Sequence, residues 1–463
     1  MFDDAATAPS GLTPEARDRW RACVRAFLAH GRETPVHLAA VIEAAPAFAT
    51  AHAAQGLMMM MLGRRELGPA AQAALERARA ARAEGAGCPR SADLTAALED
   101  FLAGRMRAAA DRLDDGLARR PGDALSMKLA QGVRFMLGDA AGMRESAEAA
   151  AQGFGEGHPH RGYFLGCRAF AREETGDYAA AEAFGREGLE LAPDDAWGLH
   201  AVAHVMDMTG RAEDGLRWLT EREASWAHCS NFGYHVWWHM ALFLIERGDL
   251  AGALRLYDEK VRPEPTDDYR DIANAASLLV RLEIEGASVG ERWEALGELC
   301  ATRVEDGCVV FADLHYLLSL HGAGREAEAQ ALTARIAVDA QGFDHDQHEV
   351  CAIAGLPMAR GLNAFRRGAW AQAARALRLA LPTLPSVGGS HAQRDVFERL
   401  AIEAAVKAGA CDAAEEMLAA RSARRGAEDG FAARRRAAIS RRRAEAAAAP
   451  RDVWNVAATG GAR

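Results

Sequence analysis

Apolar residues recur along almost the whole chain at i, i+3, i+4 and i+7, as in LTAALEDFLAG, AEAFGREGLELA and AAEEMLAARSA. No segment alternates apolar and polar residues convincingly enough to read as a strand. Each segment therefore presents one apolar stripe and predicts an amphipathic helix. Much of the stripe is alanine, which has the highest helix propensity and lets helices approach closely. The pattern predicts an all-α fold.

The helices are punctuated at a regular spacing. A glycine ends one periodic segment and precedes a short amphipathic one at Gly63, Gly104, Gly138, Gly176, Gly210, Gly248, Gly286, Gly324, Gly368 and Gly409, at intervals of 34 to 44 residues. Glycine there can take the left-handed conformation that stops a helix and starts a turn. Units such as GDYAAAEAFGREGLELAPDD and GRAEDGLRWL read like tetratricopeptide (TPR) hairpins, whose period is about 34 residues. The expectation is an irregular TPR-like α-solenoid of about ten helical hairpins forming a superhelix. The helix before each glycine, helix A, would line the concave surface, and the helix after it, helix B, would form the outer layer.

Length alone would allow several domains, but no Pro-, Gly- or Ser-rich linker divides the chain of 463 residues. Residues 1–420 are expected to form one continuous array with a His-rich groove over 160–400, and 421–463 an Arg-rich C-terminal helix and loose tail. Half of the residues are hydrophobic, enough to bury a large core. The net charge of −10 argues against nucleic acid as a partner. It is unevenly placed: residues 421–445 carry nine arginines against three acids, a local +6 that leaves −16 elsewhere. That tail either caps the array as a solvated helix or docks back on the acidic body.

No apolar run is long enough to span a membrane, and MFDDAATAPSGLTPEARDRW has no secretory-signal pattern. Eight scattered cysteines without a C-x-x-C pair predict a reduced, cytoplasmic protein lacking disulfides and a thiolate zinc site. The oligomeric state is left open.

The candidate chemistry is histidine-based. In DDAWGLHAVAHVMDMTGR, His200 and His204 lie four residues apart on one helical face, with Asp207 three residues further on. The next A helix, NFGYHVWWHMALFLIERGD, repeats the device with His235 and His239 beside Tyr234, Trp237 and Trp238. FADLHYLLSLHGAGR adds Asp313 and His315, and His315 has the same nine-residue offset from its glycine as His239. That register holds Ser277, near Asn274, in the intervening unit and Cys167 in an earlier one, which suggests a polar strip on the inner surface. In LPSVGGSHAQRDVFERLAI, Ser390 is a plausible helix N-cap, followed by His391, Gln393, Arg394 and Asp395 around an N-terminus that could hold an anion.

In chain order, HAVAHVMDMTGR, WWHMALFLIERGD, SLLVRLEIEG with GERW, FADLH and GGSHAQRDVF resemble the tetratricopeptide repeat protein 38 family over roughly residues 20–415. The resemblance implies an α-helical TPR-like array; it supplies no reaction, ligand or catalytic residue. The Arg-rich tail lies outside it.

Four functions fit these residues. His200, His204, His235 and His239 could ligate a divalent metal such as zinc, with Asp207 or Asp313 as ligand or orienter. The pairs His204–Asp207, Asp313–His315 and His391–Asp395 could act as acid–base dyads, with Cys167 or Cys229 as a nucleophile, in a hydrolase, lyase or isomerase. Without chemistry, the same strip would bind a small polar molecule or a peptide in a His-lined concave groove, with Trp197, Trp237, Trp238 and Tyr234 as anchors. The last reading is a protein–protein scaffold. Ligand binding is the leading expectation, and whether catalysis accompanies it stays open.

Overall fold

The structure, a computed structural model, describes residues 12–448. Among the described residues every regular element is helical, and the one β-type pairing is an isolated bridge between Gly31 and Cys229. All ten register glycines have positive φ, from 59° at Gly63 to 92° at Gly286. Each separates an A helix from a B helix, for example Arg161–Glu174 from Tyr178–Leu191, and Ala196–Met208 from Ala212–Thr220. The units that follow pair Phe232–Glu246 with Leu250–Leu256, Tyr269–Ile284 with Arg292–Ala301, and Val310–Gly322 with Glu326–Asp339. A hairpin of Pro14–Leu28 and Thr34–Ala44 precedes the array, and helix Gly430–Ala448 follows it. The chain is an all-α helical-repeat solenoid.

Burial separates the two layers sharply. Helix A at Ala196–Met208 buries every residue except Trp197 and Asp207, and Val310–Gly322 buries every residue except Gly322. Helix B at Tyr178–Leu191 buries only Ala181, Gly185 and Gly188. These two A helices are therefore buried nearly all round, which an amphipathic helix packed on one side would not be.

The reason is that inner helices from distant repeats close on one another. Ser230 N–H donates to the His30 carbonyl (3.0 Å), and Asp346 N–H to the Gly104 carbonyl (2.9 Å). A Cβ on Gly138 would lie 1.7 Å from the Pro385 carbonyl, so this glycine serves a close approach as well as a turn. The concave surface expected as an open groove over 160–400 is thus largely filled by its own opposite wall.

The arginines beginning at 421 belong to this packing. Arg421 is buried and donates to Asp395 (2.5 Å) and Asp429 (2.6 Å), while Arg425 donates to Asp207 (2.9 Å). On helix Gly430–Ala448, Arg434 pairs with Glu285 (2.6 Å) and Arg435 with Glu403 (2.8 Å). The basic segment docks on the acidic body; the loose tail expected at the C-terminus lies outside the described residues. No helix among the described residues is long and apolar enough to cross a membrane, and none of the eight cysteines forms a disulfide.

Candidate functional site

Two neighbouring A helices bring the histidines together. The i, i+4 spacing puts His200 and His204 on the inner face of Ala196–Met208, and His235 and His239 on that of Phe232–Glu246. One ligand atom from each of the four lies within 4.8 Å of the others. His235 Nε2 and His239 Nε2 are 3.2 Å apart, and the His204 and His239 ring centroids are 4.3 Å apart.

The other ring nitrogen is anchored outside the cluster in two of the four. Nδ1 of His200 donates to the Trp197 carbonyl (2.9 Å), and Nδ1 of His235 to Asn274 Oδ1 (3.0 Å). This leaves Nε2 of both facing inward. Trp238 stacks on His235 with centroids 5.3 Å apart, held by a hydrogen bond from its Nε1 to Ser277 Oγ (3.2 Å). Ser277 and Asn274 thus support the histidines from Tyr269–Ile284. Burial holds His200, His204 and His239 well below the ordinary histidine range, and brings His235 down to about 4. All four are neutral imidazoles at pH 7.

A second group adjoins the first through His204. His391 Nε2 donates to Glu173 Oε1 (2.6 Å), and His204 Nδ1 lies 3.5 Å from Glu173 Oε2. Burial opposes charge on His391, but Glu173 and Glu174 outweigh it and raise its pKa. Burial likewise raises that of Glu173, against the pull of His391. Glu174 also fills the N-terminus of helix His391–Lys407, where Ser390 is the N-cap, as expected, and forms a capping box with Gln393. Glu174 Oε1 accepts the His391 backbone N–H (2.9 Å), and Glu174 Oε2 accepts from Arg394 (3.2 Å). The anion at this helix end is the protein's own.

No protein-family model matches the chain.

The three expected histidine–aspartate dyads do not form. Asp207 is taken by Arg425, Asp313 by Arg335, and Asp395 by Arg399 and Arg421. His315 instead donates from Nδ1 to the Phe311 carbonyl (2.7 Å) and packs on Phe397, while His391 finds Glu173. Asp207 and Asp395, at i+3 and i+4, share the faces of His204 and His391, whereas Asp313, two residues before His315, does not; in each case a nearby guanidinium is the stronger partner for a buried carboxylate. Neither cysteine is an activated nucleophile: burial pushes Cys167 up to about 11 and Cys229 to about 12.

Beside the cluster lies a cavity of about 560 Å³. Its lining combines polar and charged side chains, among them His200, His235, Asn274, Lys128, Arg270 and Asp271, with apolar ones such as Phe27, Leu38, Met58, Met59, Met61 and Leu62. Lys128 is buried, its Nζ 4.6 Å above the Trp197 ring and 3.9 Å from Cys167 Sγ. His30 also lines this space; it is the one non-glycine residue with positive φ (57°) among those described, and it stacks on Phe232 (4.3 Å). Tyr234 and Trp237 line a separate cleft of about 460 Å³ with Arg32, Trp226, Glu264 and Thr266.

Sequence reasoning missed Glu173, Lys128, His30 and the methionines. Met58–Met61 was a readable signal, since consecutive methionines suit adaptable binding surfaces. Glu173 was not, because acids at a helix end ordinarily face solvent.

Proposed function

We propose that this chain is a cytoplasmic small-molecule-binding member of the tetratricopeptide repeat protein 38 family, holding its ligand inside the solenoid. The observation that carries this reading is the cavity of about 560 Å³ with its mixed polar and apolar lining, a volume in the range of small-molecule sites. Its lining calls for a ligand with a hydrogen-bonding or anionic end toward Lys128, Gln131 and Asn274, and an apolar body among Met58, Met59 and Leu62. An extended peptide fits less well, because His204 and His239 are 0% and 1% exposed and no surface groove reaches them. The family assignment rests on the quoted blocks, and the free cysteines are in keeping with a reducing compartment.

The test is mass spectrometry of the organic extract from purified protein, followed by thermal denaturation with alkyl carboxylates, amides and alcohols of equal chain length. A co-purifying molecule, or stabilisation by one headgroup class that is lost in Met59→Trp and weakened in Lys128→Met, is the expected result. An empty extract and no stabilisation by any series would overturn the reading.

One observation favours an enzyme as the second reading. The Glu173–His391 pair sits beside His204, and a buried carboxylate–histidine pair is a competent proton carrier. Under that reading Glu173→Gln would retain ligand binding and abolish turnover of the bound molecule.

A further inference from the structure

The histidine cluster carries an inference that does not depend on what fills the cavity. We propose that His200, His204, His235 and His239 form a mononuclear binding site for a zinc-class divalent transition metal.

The geometry is close to that of a ligand set. An ion bound at the usual 2.0–2.1 Å to imidazole nitrogens spaces tetrahedral ligands about 3.3–3.4 Å apart. His235 Nε2 and His239 Nε2 already stand at 3.2 Å, and no pair in the set exceeds 4.8 Å. Side-chain adjustments of about 1 Å complete the coordination sphere.

The surroundings match what metal-bound histidines require. A ligating imidazole donates its remote N–H to a carbonyl, amide or carboxylate, which fixes the tautomer and aims the other nitrogen. His200 does so to Trp197 and His235 to Asn274, and Nδ1 of His204 is directed at Glu173. His391 in turn holds Glu173, so the second acidic–histidine group orients the first. Trp238, stacked on His235 and tied to Ser277, adds a wall that fixes the ring plane.

Packing alone gives no account of the nitrogens. Neither ring nitrogen of His204 has a hydrogen-bond partner, nor has Nδ1 of His239, although both residues are buried. A phenylalanine or leucine would fill the same space without leaving polar atoms unmet. An ion satisfies Nε2 of His204, and a donor set of neutral imidazoles selects zinc, cobalt, nickel or copper over magnesium or calcium. His200 and His235 also border the cavity, which gives the ion a route in and lets a bound molecule approach it.

The experiment uses the full chain, stripped with chelator and dialysed, then titrated with Zn²⁺ and separately with Co²⁺. The expected result is stoichiometric zinc retained through dialysis, and an intense visible cobalt spectrum of a four- or five-coordinate site that disappears in His239→Gln with its helical circular dichroism intact. Should His239→Gln fail to fold, Asn274→Ala decides: it touches no ion, yet loss of the His235 anchor is expected to weaken zinc about 10–100-fold. Sub-stoichiometric zinc, a weak six-coordinate cobalt spectrum that survives in His239→Gln, or unchanged affinity in Asn274→Ala would overturn the site. Because Lys128→Met and Met59→Trp leave the four imidazoles in place, they fail the cavity reading without failing this one.

Discussion

Two buried polar clusters border helix His391–Lys407, and they are built differently. Around Asp395 and Asp429, all four carboxylate oxygens accept hydrogen bonds, from Arg399, Arg421 and the Ala432 N–H. Around His204 and His239, ring nitrogens are left with no partner in the chain. The first cluster balances its own charge and ties the C-terminal helices to the body. The second is neutral and short of partners, which is the condition of a site that receives something from outside. Buried polar groups are costly unless paired, so the contrast separates a structural role from a binding one.

The largest effect is expected from Arg421→Ala. It leaves Asp395 and Asp429 buried without their shared guanidinium, and removing one partner of a buried ion pair costs about 3–5 kcal/mol. Urea denaturation should show that loss, and a value under about 1 kcal/mol would mean the C-terminal helices are not fastened through this residue.

Acid should separate histidine from carboxylate. Burial lowers His315 to about 4, below the ordinary histidine value of about 6.5, so its neutral form is the folded one. Stability from this group is complete above pH 6.5 and falls as pH drops toward 4, by up to about 3 kcal/mol. His315→Phe should reduce the slope over that window in denaturation curves, leaving the part contributed by the other buried histidines. Burial raises Asp395 and Asp429, but Arg421 and Arg399 outweigh it and hold both below the ordinary carboxylate value of 3.8. Their contribution is therefore complete above about pH 4 and lost only below it, so Asp395→Asn should leave the pH 4–6.5 slope unchanged.

A smaller change of opposite character is expected at the histidine cluster. In chelator-treated protein, His204→Leu removes two unpartnered nitrogens at similar volume, and should leave stability unchanged or raise it by about 1 kcal/mol. A loss above about 3 kcal/mol, the size of a large core defect, would show that His204 is fully satisfied by the chain alone. The least effect belongs to Arg443→Ala. Its partner Asp412 is almost fully exposed, so no change in denaturation midpoint is expected, in contrast to Arg421 on the same C-terminal segment.

The features legible in the sequence share one property: they are local. The ten register glycines, the A and B helices, the Ser390 cap and the shared faces of His200 with His204 and His235 with His239 all follow from dihedral preferences and the 3.6-residue period. The dyads were misread for the same reason. Spacing put Asp207 and Asp395 on the faces of His204 and His391, though not Asp313 on that of His315, and it could not show the guanidinium partners that other helices supply: Arg425 for Asp207, from 218 residues away, Arg335 for Asp313, and Arg421 beside Arg399 for Asp395.

By itself, then, the sequence determined that this chain is a helical repeat array whose consecutive A helices present paired imidazoles. Only the tertiary structure decided that the array closes on itself. Closure turned the expected groove into a partly enclosed cavity, and brought Glu173 to His391 and His30 to Phe232. The physical reason is reach: backbone propensity and helical periodicity act over a few residues, whereas burial and charge pairing act between whatever surfaces the superposed small twists of successive hairpins bring together.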